Sequence, residues 1–468
     1  MKKLQMEWIS GAKGFGKNIH FVGIGGIGMS GIAEVLYNLG YRVTGSDLQR
    51  SHITDRLESL GISVFEGHDS KNVEGADVVI FSSAVKPSNP ELVRARERRI
   101  PVIRRADMLA ELMRMKYGIG IAGTHGKTTT AWMVGTVLAE SGLDPTIIVG
   151  GRVRSLGTNA RLGEGEFLVA EADEFDRSFL RLNPTIAVVT SLEAEHLDCY
   201  KDLKEIKTAF VEYVNKVPFY GAVVLCLDEV EIASIIPEVE RSLVTYGVSS
   251  QADILATGIV FEGLSSEFTV WVKGKELGRI SLKAPGVHNV KNALAAVAVG
   301  LQVGLEFDTI KRSLEKFSGV HRRFEVKGDV GGVTVVDEYA HHPTEVSASL
   351  EGARAGWNRR IIAVFQPHLF SRTRDFFRDF GRSFLNSDVL VVTDIYPARE
   401  EPIPGISGRL IADAARELGH PDVIYTPDKG EIAAHLYTIL QPGDLVITYG
   451  AGDIYKVGEE LLELLRRG

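Results

Sequence analysis

The chain has 468 residues, a net charge of -8, and 44% hydrophobic against 24% charged residues, which excludes a disordered chain and leaves length for two to four domains of roughly 100 to 200 residues, of which we expect three. The acidic surplus excludes general nucleic-acid binding but not a local phosphate site. Only two cysteines, Cys199 and Cys226, are present, so no disulfide framework is expected, and with no signal-like leader and no apolar run near the about 18 residues of a membrane helix, the expectation is a cytoplasmic protein without membrane insertion.

Along the chain, short β-branched runs alternate with longer amphipathic segments, which predicts an α/β protein with mainly parallel sheets. Residues 19–23 read as a strand. Ile32, Val35, Leu36 and Leu39 then fall on one helical face, and Gly40 is placed to end that helix. Between strand and helix, Gly23, Gly25 and Gly28 fit G-x-G-x-x-G, with Asp47 about twenty residues on. That motif suits a dinucleotide, another diphosphate ligand or a tight turn. Arg94, Arg96, Arg98, Arg99, Arg104 and Arg105 read as a solvated helix face rather than a nucleic-acid site.

A fresh start comes at residues 117–122, a strand run leading into Gly123-Thr124-His125-Gly126-Lys127-Thr128-Thr129 and a helix that closes near Gly142. We place a domain boundary near residue 114. The segment is a phosphate loop in which Ile121 stands where the first glycine of the full pattern would be. Gly126 permits a close backbone, Lys127 offers charge to the β and γ phosphates, and Thr128 offers a hydroxyl to magnesium. Glu171, at a strand end, is the best carboxylate for the ion. Glu174 and Asp176 read as an acidic, solvated turn, and His196 is a less usual ligand. Cys226, inside the apolar run 223–227, reads as a small buried hydrophobe.

A second boundary falls near residue 326, after which strands are expected at residues 333–336, 361–365, 389–392 and 445–448. Polar residues, most of them ionisable, crowd the carboxyl ends of the predicted strands (Glu171, Glu193 and His196, Asp337 and Glu338, Gln366 and His368), where ligands of open α/β sheets bind. Leu461, Leu462, Leu464 and Leu465 read as the packed face of a last helix.

Taken together, Gly23 to Gly31, Gly123 to Thr130, His288-Asn289-Val290-Lys291-Asn292-Ala293, His321-Arg322-Arg323-Phe324-Glu325 and Tyr339-Ala340-His341-His342-Pro343-Thr344-Glu345 resemble the Mur amide ligases over nearly the whole chain. The resemblance implies a Rossmann-like domain at 1–113 that binds a UDP-sugar, a central P-loop ATPase domain at 114–325 with a mainly parallel sheet, and a Rossmann-like domain at 326–468 that admits an amino acid. The implied substrates are UDP-N-acetylmuramate and L-alanine, with ATP and Mg2+, in a monomer or weak homodimer.

Residue by residue, the resemblance assigns the sugar nucleotide to Gly25, Gly26, Ile27, Gly28, Met29, Asp47, Ser82 and Ser83, and its carboxylate end to His125, Thr158, Asn159 and Arg161. ATP falls to Gly123, Thr124, Gly126, Lys127, Thr128, Thr129, Asn292, Arg323 and Asp337. Magnesium falls to Thr128, Glu171 and His196, and the amino acid to Tyr339, His342, His368 and Arg372. Lys127, His196, His342 and Arg372 are the expected catalytic set. The sequence departs from the family pattern at Glu195, Glu338, Leu369 and Arg399, the third of these replacing a customary arginine. Two other functions were weighed: a related ligase attaching a preformed peptide to the same UDP-sugar, and an NAD-dependent oxidoreductase suggested by the first glycine motif.

Overall fold

The computed structural model describes residues 18–82, 84–150, 160–195, 199–398 and 400–467. Ser83, Thr158, Asn159, His196 and Arg399 lie outside the described residues. The chain forms two compact units, Met1–Ser249 with Ala295–Ile310, and Ser250–Leu294 with Lys311–Gly468.

The first unit opens with five parallel strands, β1 (Asn18–Val22), β2 (Arg42–Asp47), β3 (Ser63–Glu66), β4 (Val78–Phe81) and β5 (Val102–Arg104), in the order β3-β2-β1-β4-β5. Helices α1 (Ile27–Asn38), α2 (His52–Ser59), α3 (Pro90–Glu97) and α4 (Arg105–Arg114) connect or follow them. Ile32, Val35 and Leu36 are buried on α1 as the apolar spacing predicts, each contributing about 1.5 to 3 kcal/mol. Leu39, expected on the same face, is instead the C-cap and 40% exposed. The helix stops there because Gly40 takes φ +92° and Tyr41 N–H bonds back to Leu36 O at 3.1 Å.

The arginine run is only partly a solvated face. Arg94 pairs with Glu97 on α3, and Arg98 and Arg99 are exposed. Arg105 instead opens α4 and turns inward: a Cβ built on Gly28 would lie 2.7 Å from its Nη1.

Seven further strands belong to the first unit: β6 (Tyr117–Ala122), β7 (Thr146–Ile148), β8 (Ala160–Arg161), β9 (Phe167–Glu171), β10 (Ile186–Val189), β11 (Ala222–Cys226) and β12 (Leu243–Gly247). They pair in the order β12-β11-β10-β6-β9-β7-β8, parallel except for β7 with β8. β10 and β11 are buried at every position, which explains their unbroken apolar runs. Cys226 packs there as a hydrophobe with no exposed surface. Helices α5 (Lys127–Glu140), α6 (Leu203–Asn215) and α7 (Val230–Ile235) accompany this sheet.

The second unit begins with an antiparallel meander, β13 (Ile254–Glu262), β14 (Ser265–Val272) and β15 (Lys275–Leu282). Helices α8 (Val287–Gln302) and α9 (Phe307–Glu315) come next in the chain, their residues 295–310 belonging to the first unit. The remaining sheet holds β16 (Glu325–Val330), β17 (Val333–Glu338), β18 (Ile361–Phe365), β19 (Val389–Val392), β20 (Val423–Tyr425) and β21 (Leu445–Tyr449), in the order β16-β17-β21-β18-β19-β20. Only β16 runs antiparallel to its neighbour. Helices α10 (Pro343–Gly356) and α11 (Phe370–Ser383) belong to this part, with α12 (Arg409–Glu417), α13 (Ile432–Ile439) and α14 (Tyr455–Arg467).

Alternating residues of the strands feed a separate core on each face of that sheet. Phe365, Phe380 and Tyr449 lie on one side. Val364, Leu436, Leu461 and Leu462 lie on the other, with Leu464 and Leu465 packed at its edge. The last helix is therefore a packed one, as its leucine spacing predicts. No described helix is long and apolar enough to cross a membrane.

Candidate functional site

The phosphate loop is the turn from β6 into α5, and its shape follows from two glycines. Gly123 sits at φ +129°, where a Cβ would fall 2.3 Å from Thr190 Oγ1 and 2.8 Å from Ser191 N. Gly126 takes φ +79° as the N-cap of α5. The loop is then tied to the end of β10: Thr124 N–H donates to Ser191 O (3.1 Å), His125 N–H to Ser191 Oγ (2.7 Å), and Glu193 N–H to Thr124 Oγ1 (2.9 Å). His125 Nε2 lies 3.5 Å from Glu193 Oε2. Thr129 and Thr130 are buried in the first turn, and Trp132, five positions after Lys127, is 1% exposed.

Lys127 points back into this loop. Its Nζ donates to Gly123 O (2.5 Å) and Thr124 O (3.2 Å), and meets both carboxylate oxygens of Glu174 at 2.9 and 2.8 Å. Burial works against its charge, but Glu174, Asp173 and Glu195 outweigh burial and hold the ammonium above its ordinary range. The reading of Glu174 as part of a solvated turn is thus corrected: its surface is 3% exposed and it is the ion partner of the loop lysine. No spacing in the sequence signals this, because the partners are 47 residues apart.

Glu171 ends β9 beside the loop. Burial raises its carboxyl pKa, offset by hydrogen bonds from Thr128 and from Gly150 N–H, while its Oε1 is buried with no hydrogen-bond partner among the described residues. An orphaned oxygen next to a threonine hydroxyl is a donor set that fits a hard divalent cation. The surroundings agree, since Glu171, Asp173, Glu174 and Glu195 all act on the Lys127 neighbourhood and would repel a bare triphosphate.

The first glycine motif is a second cradle in the same unit. Gly26 and Ile27 face solvent at the start of α1, and Met29 is buried beneath them. Asp47 does not stand free beside this turn: its Oδ2 accepts the Gly25 N–H at 2.8 Å and its Oδ1 the Leu48 N–H at 2.8 Å. Ser82 follows β4 close by, its Cβ 3.5 Å from a Cβ built on Gly23. Arg105, against Gly28, also reaches Asp173 at 3.9 Å, and so joins the glycine turn to the acidic segment after β9. Arg161 lies apart from this, its Nη2 bonded to Asp144 at 2.6 Å.

In the second unit a cluster gathers where β17 and β18 end. Arg322 donates to Asp337 (2.9 Å) and to the carbonyls of Gly452 (3.0 Å) and Gly450 (2.8 Å). Asp337 is 1% exposed, and its other oxygen accepts from Thr448 at 3.1 Å. Arg323 lies 3.4 Å from Glu345 and 3.8 Å from Glu338, with both arginines over the Tyr339 ring. Burial, opposed by Arg323, pushes the Glu338 carboxyl up to about 7.

Tyr339, His341 and His368 form a chain of edge contacts at 5.4 and 5.7 Å between ring centroids, and Arg372 Nη1 donates to His341 O at 3.3 Å. His342 is 5% exposed and edges onto Phe376. Leu369, the N-cap of α11, is held at φ +73°, and Glu400 accepts the Ser371 N–H at 2.9 Å. The unit thus brings Tyr339, His368 and Arg372 together around His341, while the expected His342 is placed against Phe376. On α8, Asn292 Nδ2 donates to Asn289 Oδ1 (3.3 Å), and Asn289 is itself anchored to Pro285 O (2.7 Å). Arg322, Asn289 and Glu400 are residues to which sequence reasoning gave no role, and Glu174 is the one it misread. Arg322, beside Arg323, was the one whose position could have been read.

Family comparison decides what these two regions belong to. The Mur ligase family catalytic domain matches residues 18–117, the Mur ligase middle domain residues 121–300, and the Mur ligase glutamate ligase domain residues 322–452. The chain belongs to the Mur ligase family. Among Mur ligases, it is 56% identical to the UDP-N-acetylmuramate--L-alanine ligase of Geotalea daltonii, over 96% of this chain and 98% of that protein. It is 54% identical to the enzyme of the same name from Salinibacter ruber, over 96% and 95%. The crystal structure of the UDP-N-acetylmuramate-alanine ligase of Thermotoga maritima superposes with a TM-score of 0.81 at 30% identity, covering 96% and 99%. A murein peptide ligase from Psychrobacter arcticus gives 0.69 at 25% identity, with the same coverage. The three-domain α/β architecture of the Mur ligases is therefore that of this chain.

Proposed function

We propose that this protein joins L-alanine to the carboxylate of UDP-N-acetylmuramate at the expense of ATP, in peptidoglycan precursor synthesis in the cytoplasm. One observation carries the choice of substrates: chains 54 to 57% identical over about 96% of this one bear that ligase's name. The murein peptide ligase stands further off in both identity and superposition, and an oxidoreductase would leave the phosphate loop and Glu171 without work.

A carboxylate is a poor electrophile, so the reaction needs a leaving group on it. In the proposed sequence the substrate carboxylate oxygen attacks the γ phosphorus and ADP departs. The alanine amino group, deprotonated, then attacks the acyl carbonyl, the nitrogen releases a proton, and inorganic phosphate leaves with the acyl C–O pair. Lys127 supports charge spreading over the phosphoryl oxygens, and the N-terminus of α5 adds its N–H groups and dipole. Thr128 and Glu171, with His196, are the proposed holders of Mg2+, which when bound offsets phosphate charge.

Asn292, Arg323 and Asp337 are proposed for the nucleotide, Asp337 through Arg322, whose guanidinium it fixes. The cradle from Gly25 to Met29, with Asp47 shaping it and Ser82 beside it, is proposed for the UDP diphosphate. His125 and Arg161 are proposed for the sugar's acidic end, and Tyr339, His342, His368 and Arg372 for alanine, where a guanidinium suits a carboxylate.

The test is phosphate release with ATP, Mg2+ and UDP-N-acetylmuramate, with alanine, glycine, serine or a tripeptide as acceptor. Release that depends on alanine is expected. Release with the tripeptide alone would make this a peptide-attaching ligase, and none with any acceptor would overturn the assignment.

A further inference from the structure

Lys127 is held shut. An ammonium has three protons to donate, and four acceptors already surround this one: Gly123 O, Thr124 O and both oxygens of Glu174. A γ phosphate needs at least one of those protons. Of the present partners the two carbonyls belong to a loop tied down by Thr124 N–H to Ser191 O, His125 N–H to Ser191 Oγ and Glu193 N–H to Thr124 Oγ1. Glu174 alone is a side chain, with torsions that can turn.

Its backbone, by contrast, is pinned. Glu174 O accepts from Tyr200 Oη at 2.7 Å and from Arg177 N–H at 3.1 Å, and Arg177 lies over the Tyr200 ring. The main chain is thus held by neighbours other than the lysine, whereas the carboxylate is bonded to the lysine itself and can turn about its side-chain torsions. A carboxylate 2.8 Å from the lysine also sits where phosphate oxygens would come, beside Asp173, and like charges this close exclude one another.

We infer that Glu174 is an internal placeholder for the phosphate: its carboxylate keeps Lys127 positioned and neutralised between turnovers and must be displaced by the incoming triphosphate, so that it sets nucleotide affinity by competition. Glu174 is then a positioning residue acting through Lys127, and each turnover includes its exchange with phosphate. The inference rests on the ATP-dependent reading above and adds to it a residue that weakens binding in the wild type.

A residue that merely braced the loop would behave in the opposite sense, so the sign of one measurement decides. Binding of the non-hydrolysable analogue AMP-PNP with Mg2+, and of ADP, is measured by calorimetry on the full chain, wild type beside Glu174→Gln and Glu174→Asp. The amide keeps the shape and removes the charge, so Kd should fall roughly tenfold for both nucleotides, with KM for ATP following it. The aspartate keeps the charge with a shorter reach and should fall between the two.

Unchanged or weaker binding by Glu174→Gln would overturn the inference and make Glu174 a brace. If that variant does not fold, Glu174→Asp carries the same sign test: tighter than wild type supports competition and weaker refutes it. Wild-type protein that binds no nucleotide would sink the ATP reading along with this one, whereas wild-type binding with no gain in either variant sinks this one alone.

Discussion

At the scale of single residues, burial decides which side chains are charged. Burial and then the nearby Arg323 lower the His288 pKa to about 4, and burial and then Arg372 do the same for His368. Both are neutral in the folded protein at pH 5, where the unfolded chain, with an ordinary value of 6.5, binds the proton. The stability that neutrality brings is complete above pH 6.5 and is lost as the pH falls from 6.5 towards 4. Their imidazole NMR signals should stay still from pH 8 to about 5, and His288→Gln should flatten the acid fall of the unfolding midpoint. Midpoints near 6.5 for both rings would refute the assignment. Lys127→Ala should lower turnover by roughly 10²- to 10³-fold. It also strands the buried Glu174, costing up to about 3 to 5 kcal/mol; adding Glu174→Gln should recover most of that stability but none of the rate, a pattern that denaturant unfolding and an activity assay check together.

At the scale of elements, a turn is set by what lies behind it. Gly123→Ala places a methyl against Thr190 and Ser191 at a positive φ, so about 3 kcal/mol of stability and most nucleotide binding should go. Gly142→Ala, at φ +79° with open space beyond, should cost only about 1 kcal/mol or somewhat more and keep binding; equal effects from the two would contradict the wedge. The same distinction explains what the amino-acid sequence reveals. Strands β6, β18 and β19 match their predicted limits because apolar runs bounded by turns are local signals. β17 and β21 run further than predicted; on β17, Asp337 and Glu338 look like the start of a loop, and Arg322 and Thr448 at Asp337, with the N–H groups of Phe324 and Ala340 at Glu338, let them stay in the ladder while buried. The glycine turns and the loop lysine were legible for the same local reason. Glu174 and Arg105 were not: a solvated charge and one half of an ion pair between distant segments have the same neighbours in sequence, and only the partner brought by the fold tells them apart.

At the scale of the whole molecule, a chain that forms two compact units is expected to unfold in more than one step, so a single unfolding free energy does not describe it. Calorimetry should resolve more than one transition. An ATP analogue with Mg2+ at about 100 times its Kd should stabilise the transition of the unit carrying the phosphate loop by about 2.7 kcal/mol, and Lys127→Ala should abolish that shift; an analogue shift that survives the substitution would place the phosphates elsewhere. Trp132 gives the same event an optical reading. The chain has four tryptophans, and this one is sealed in α5 a turn and a half beyond the lysine that the phosphates are proposed to capture. With the other three replaced by phenylalanine, its emission would gauge nucleotide occupancy in real time, without a label.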